Sequence, residues 1–210
     1  MISTKDKILN EAEKLFAEQG FAETSLRMIT AKADVNLASV NYHFGSKKKL
    51  IQAVFERFMD TITQDITSEM DKLDAAHGRD LSNIQISEVL QLLKQPIKNL
   101  DQLRPDGAGV FMNLLGRSYA ETQGHIRRFA MDKYSQTFNR FISYLQASCP
   151  QSDASEIFWR LHFMLGSFIF SLAGHRALQE IAESDFNQNV SIEQIIDKLI
   201  PFMTAAFAHN

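Results

Sequence analysis

One cysteine, four prolines, nine glycines and one tryptophan serve a chain of 210 residues. The lone Cys149 excludes an internal disulfide and fits a reducing cytosol. So few prolines and glycines leave little material for the many tight turns of an all-β fold. There is no glycine-rich phosphate loop. His43, His77, His125, His162, His175 and His209 show no HExxH or paired-ligand spacing, so no metal or cofactor is expected. The longest apolar stretch, "FMLGSFIFSLAG" (163–174), falls well short of the roughly 20 residues that span a bilayer. After Met1, "ISTKDKILNEAEKLF" mixes charge with apolar residues and has no secretory h-region. The absences together lead us to expect a soluble cytoplasmic protein without a membrane partner and without catalysis.

What is present is helical. Hydrophobic residues make up 45% and charged residues 22%, enough apolar material for a sizeable core. Ile8, Ala12, Leu15 and Phe16 repeat at helical spacing, and Gly20 supplies a stop. Thr24 and Ser25 can cap a second helix with Leu26, Ile29 and Ala33 on one face. Asn36 can cap a short third helix to about His43, and Gly45 ends it. A long helix over 47–73 then carries Ile51, Val54, Phe55, Phe58, Ile62, Ile66, Met70 and Leu73 on the 3.6 period. Loops are expected at 74–83 and 104–109. Further helices are expected near 84–103, 109–120, 122–147, 153–182 and 191–207, with Pro96 and Pro201 as kinks or breaks. The spacing predicts an all-α fold of about nine helices with no internal repeat.

Charge is distributed unevenly along this pattern. Residues 1–49 hold eight Lys/Arg against six Asp/Glu, a balance of +2, while the rest carries −5. A mildly basic head on an acidic body hints at a polyanion at one end. Three short helices with a tight turn between the second and third make a helix-turn-helix unit, whose last helix enters the major groove of DNA. Its exposed face here is Leu37, Ala38, Ser39, Asn41, Tyr42 and His43, with Val40 and Phe44 as anchors. Asn41 can pair with adenine, Leu37 or Ala38 can touch a thymine methyl, and Tyr42 and His43 can donate to phosphate. Lysine at a helix N-terminus opposes the macrodipole, so Lys47 is better explained by a bound phosphate than by helix stability.

The run "TSLRMITAKADVNLASVNYHFGSKKKLIQAVF" resembles the signature of TetR-type transcriptional regulators. That resemblance implies an all-helical homodimer with a helix-turn-helix DNA-binding domain, here residues 1–49. The long helix 47–73 joins it to a ligand-binding and dimerisation domain, here residues 50–210. It also implies backbone contacts from Thr24, Ser25 and Arg27, a recognition face of Leu37, Ala38, Ser39 and Asn41, and phosphate contacts from Tyr42, His43 and Lys47. Two departures stand out. Asp34 occupies a turn position where glycine is common, and Asp tolerates positive φ better than most residues. Asn41 replaces a frequent tyrosine, which exchanges a phosphate contact for a base contact.

A narrower likeness runs through "GHIRR" and "FWRLHFMLGSFIFSLAG…AL…AESDF", which are similar to the PsrA-type regulators of fatty-acid metabolism. It implies repression of fatty-acid degradation genes through double-stranded operator DNA, relieved by a long-chain fatty acid or acyl-CoA effector. Candidate ligand-lining residues are Phe111, Met112, Leu115, Tyr119, Phe129, Tyr134, Phe138, Trp159 and Phe163, with Arg117 for an anionic group. The same side chains also fit an ordinary core. Small and apolar residues on two late helices, Gly166, Ser167, Phe170, Gly174, Ile195, Leu199 and Met203, suit a two-fold four-helix interface. The alternatives are a regulator of the same type answering another signal or drug, and a lipid-binding carrier with a non-specific head.

Overall fold

The structure is a computed structural model and describes residues 2–78, 80–121 and 124–208, with no account of the Ala208 side chain. The described residues are helical, with no strand among them. In chain order the helices are α1 (Thr4–Gln19), α2 (Leu26–Ala33), α3 (Leu37–Phe44), α4 (Lys47–Ala76), α5 (Ile86–Gln91) and α6 (Lys94–Leu103). There follow α7 (Gly107–Ala120), α8 (Gly124–Ser148), α9 (Ala154–Ala173), α10 (His175–Phe186) and α11 (Ile192–Ala208). No single helix among the described residues is long and apolar enough to cross a membrane.

Two expected helices are each divided in two. The segment near 84–103 breaks at Leu92 and Leu93, and α6 begins just before Pro96. Pro96 therefore sits in a first turn, where a missing N–H costs little. The segment 153–182 breaks at Gly174, where α9 gives way to α10 with a 70° bend. Pro201, by contrast, interrupts nothing: α11 runs through it, and the ring is exposed.

The chain folds as two compact units. The first comprises residues 1–60 and, from much later in the chain, 113–133. A linear division after residue 49 would place that second stretch with the body. Ile8, Ala12, Phe16, Ile29, Val40, Leu50, Val54 and Phe58 are fully buried in this unit. Each such large side chain contributes roughly 1.5–3 kcal/mol by leaving water. Phe16 lies 5.3 Å from Phe21, which lies 6.1 Å from Phe55, so aromatic rings join α1 to α4. Arg57 of α4 donates to Asn10 at 2.9 Å and pairs with Glu13 at 3.4 Å on α1.

The second unit comprises residues 61–112 and 134–210. Its core includes Met70, Val89, Leu90, Leu100, Leu145, Leu172 and Ile196. Here α11 packs on α5, α9 and α6. The end of α4 is tied to α8 by charge: Arg140 donates to Asp71 and Asp74, both at 2.7 Å, and the Tyr144 hydroxyl donates to Asp74 at 2.6 Å. Arg160 of α9 donates to the Phe207 carbonyl and pairs with Glu156.

Candidate nucleic-acid interface

Short helices need caps, because an eight-residue helix leaves most of its end groups without internal partners. At α2 the Met28 N–H donates to Ser25 Oγ at 3.2 Å. The helix ends at Asp34 in the left-handed region (φ 52°, ψ 54°), and the Val35 N–H donates back to Thr30 O at 3.1 Å. Asp is one of the few side chains that adopt this conformation at modest cost. The turn therefore forms without glycine. At α3 the Ser39 N–H donates to Asn36 Oδ1 at 2.8 Å, and Gly45 (φ 72°) ends the helix with open space where a Cβ would lie.

Period 3.6 then sorts the residues of α3. Val40 and Phe44 are buried, whereas Leu37, Ala38, Asn41, Tyr42 and His43 are exposed. Tyr42 is 86% exposed, an unusual position for a large aromatic ring unless a partner covers it. Its ring stands edge-on to His43, with centroids 5.1 Å apart. Ser39 is half-buried and its hydroxyl donates to Asn36 at 3.0 Å, so it serves the cap as well as the face. Arg27 and Ser25 are exposed at the start of α2. The first turn of α4 holds Lys47, Lys48 and Lys49 and no acidic residue, with Ser46 Oγ accepting from the Lys49 N–H at 3.2 Å. The Lys47 ammonium lies 3.5 Å from Ala22 O. Cations, free amides and helix dipole thus combine at one edge of the α2–α3 pair, an arrangement suited to a phosphate.

Thr24 is a correction. It is fully buried, and its hydroxyl donates to Gly20 O at 2.7 Å and Leu15 O at 3.1 Å. It fastens the α1–α2 junction and cannot reach a phosphate with its side chain. Sequence reasoning also missed Glu121, whose carboxylate accepts from the Phe21 N–H at 3.1 Å and the Ala22 N–H at 2.8 Å.

Arg117 is a second correction. Its guanidinium donates to Ala17 O at 3.0 Å and Glu18 O at 2.8 Å, at the end of α1, so in this structure it serves the α1 terminus. Of the other expected ligand residues, Phe111, Met112 and Tyr134 are buried and Phe138 is half-buried, all in the second unit. Leu115 and Phe129 are half-buried and Tyr119 is exposed, all in the first. Trp159 and Phe163 do not line an interior: they are 55% and 67% exposed, and their rings stack with centroids 5.9 Å apart.

Phe163 instead joins Gly166, Ser167, Phe170, Leu199 and Phe202 around one open surface groove between α9 and α11. Four of the expected interface residues therefore meet there. Ile195 and Met203 are buried in their own unit and are not among the residues that line the groove. Gly174 sits at the α9–α10 corner, where an added Cβ would lie 3.0 Å from Phe170 O.

Comparison with known proteins agrees with this geometry. Residues 8–54 match the family described as bacterial regulatory proteins, tetR family. Residues 91–206 match the tetracyclin repressor-like C-terminal domain. A probable HTH-type transcriptional regulator, YttP of Bacillus subtilis, is 42% identical over 59 residues, 28% of each chain. The HTH-type transcriptional repressor Rv3405c of Mycobacterium tuberculosis is 35% identical over 108 residues, 47% of this chain and 57% of its own. The chain thus matches 28% and 57% of the lengths of these two relatives. A TetR-like regulator from Rhodococcus shares the fold, with a TM-score of 0.64 and 15% identity over 99% of this chain and 97% of that one. With one model matching the head and the other more than half of the chain, the protein belongs to the TetR family of bacterial transcriptional regulators.

Proposed function

We propose that this chain is a dimeric repressor that reads an operator through α3 and leaves it when a long-chain fatty acid or its CoA ester binds. The observation that carries the DNA reading is the exposed face of α3. Asn41, Tyr42 and His43 stand in solvent on a helix anchored by Val40 and Phe44, beside the lysines of α4. Asn41 offers the amide geometry that pairs with adenine in the major groove. Tyr42, His43, Arg27 and Lys47 supply donors for phosphate.

Dimerisation is supported by the groove between α9 and α11. Phe163, Phe170 and Phe202 are each more than 60% exposed, and Gly166 at the same site leaves room for a second backbone. A copy of the same face, related by a two-fold axis, would remove these rings from water and give a four-helix interface. Two recognition helices would then address half-sites about 34–36 Å apart.

The effector class rests on the likeness of "GHIRR" and the α9 segment to the PsrA-type regulators. Phe111, Met112, Tyr134 and Phe138 add apolar and aromatic surface suited to an acyl chain. Helix α4 begins at Lys47 and continues into the second unit, so one continuous element belongs to both. The test has two steps. Full-length protein is used to enrich duplexes from a random pool, and the enriched duplex is then titrated with palmitoyl-CoA and with palmitate. Enrichment of a palindrome followed by release with either acyl ligand is the expected result. No enrichment would favour the carrier reading. Release by an aromatic or cationic drug, with neither acyl ligand active, would replace the fatty-acid effector.

A further inference from the structure

The segment 20–25, which leads into α2, is held from outside the three-helix head. Helix α1 has no basic residue in its last turn, so its terminal carbonyls lack a cation of their own. Arg117, in the last turn of α7, supplies it through two hydrogen bonds to Ala17 O and Glu18 O. The next two free amides, Phe21 and Ala22, point at the two carboxylate oxygens of Glu121. Arg117 and Glu121 lie 3.9 Å apart and complete the clasp. Gly20 is shaped to it: with φ 92°, its Cβ position would lie 2.4 Å from Glu121 Oε1 and 2.9 Å from Arg117 Nη1, so a side chain there would displace both.

The clasp continues into the reading surface. The Gly20 carbonyl accepts from buried Thr24, Ser25 caps α2, and the Ala22 carbonyl receives the Lys47 ammonium. Two amides of the clasp, the α2 cap and the carbonyl that meets Lys47 therefore share one six-residue segment. We propose that Arg117 and Glu121 are positioning residues for DNA recognition: by pinning residues 17–22 they set where α2 and Lys47 stand. This deepens the DNA-binding reading above and rests on it. It also assigns a DNA-side role to two residues inside the stretch matched by the C-terminal-domain model.

The test uses the full-length protein and its enriched duplex, with Glu121→Ala, Glu121→Gln, Arg117→Gln and Arg117→Lys. Amide hydrogen exchange at Phe21 and Ala22 should accelerate in Glu121→Ala, because the carboxylate is the acceptor for both groups. Operator affinity should fall roughly tenfold, the size of effect expected from losing charge-assisted hydrogen bonds. Glu121→Gln, which keeps one acceptor, should lose less. The slope of log affinity against log salt should stay at the wild-type value in all four variants, since neither residue meets phosphate. Unchanged exchange at Phe21 and Ala22 would overturn the clasp. Faster exchange with undiminished operator affinity would overturn the positioning role. A shallower salt slope in Arg117→Gln would make Arg117 a direct phosphate contact and overturn it also. If Glu121→Ala fails to fold, Glu121→Gln and Arg117→Lys decide by the same measurements. A wild-type chain that enriches no duplex would refute the underlying DNA reading, while the exchange data would still judge the clasp.

Discussion

Asn41 carries a planar amide, the group that pairs with adenine N6/N7 in the major groove. It is exposed on α3, one position from Val40, which fixes the helix to the core. Asn41→Ala should cost roughly 1–3 kcal/mol per half-site on the enriched duplex and much less on random DNA. Binding isotherms on both duplexes check this, and equal losses would make Asn41 a backbone contact. A second residue sets a pH dependence. Burial, then Lys48 and Arg128, hold the His125 imidazole below its ordinary value, and its Nε2 is buried with no hydrogen-bond partner among the described residues. The unfolded chain then binds the proton more readily than the folded one. His125 thus contributes stability that is full above the unfolded value of 6.5 and is lost as pH falls from there toward the folded value. His125→Gln should flatten the fall of unfolding free energy on the acid side of neutrality. A curve parallel to wild type would remove His125 from the account. At this scale the caps were legible, because Ser25, Asp34, Asn36 and Gly45 bond within three or four residues of themselves. Thr24 was not: a threonine before a helix reads as a surface group, and its true acceptors, Leu15 O and Gly20 O, depend on how α1 ends.

Helices followed the apolar period wherever one face met a core. The period does not show which apolar stripe stays uncovered. On α9, Phe168 and Leu172 are buried, while Trp159, Phe163 and Phe170 face outward, so the helix is apolar on two sides for two reasons. Apolar type alone does not separate a side chain that lines a cavity or core from one that faces outward, as Trp159 and Phe163 do. The break at Leu92 and Leu93 falls four and three residues before Pro96, whose ring clashes with the carbonyl four positions back in a continuous helix, so the proline marks it. Both α5 and α6 pack on α11, so the break lets two short helices follow one partner. Gly174, expected as a packing residue within one helix, stands instead at the α9–α10 corner. Phe170 is 71% exposed at the centre of the groove residues. Phe170→Arg should place a hydrated charge where a second copy must pack, and shift sedimentation at micromolar concentration from dimer toward monomer. A variant that sediments as wild type would exclude this face as the interface.

At the scale of the molecule, sequence pattern identified an all-helical fold and the helix-turn-helix, since both are written in local spacing. The company that residues 113–133 keep is not local. Arg117 and Glu121 reach partners a hundred positions earlier, and Lys133 pairs with Glu56 at 2.5 Å and Asp60 at 2.8 Å. Net charge gives little guidance either, because −3 overall conceals the lysines gathered at the start of α4. The whole account depends on α3 reading sequence. The most direct measurement is the ratio of affinities of the full-length protein for its enriched duplex and for a shuffled duplex of equal length, at one fixed salt concentration. Phosphate contacts alone bind both duplexes equally. The account predicts a ratio of about 10³ or more, as for specific DNA-binding proteins. A ratio near one, with both affinities falling together as salt rises, would contradict it.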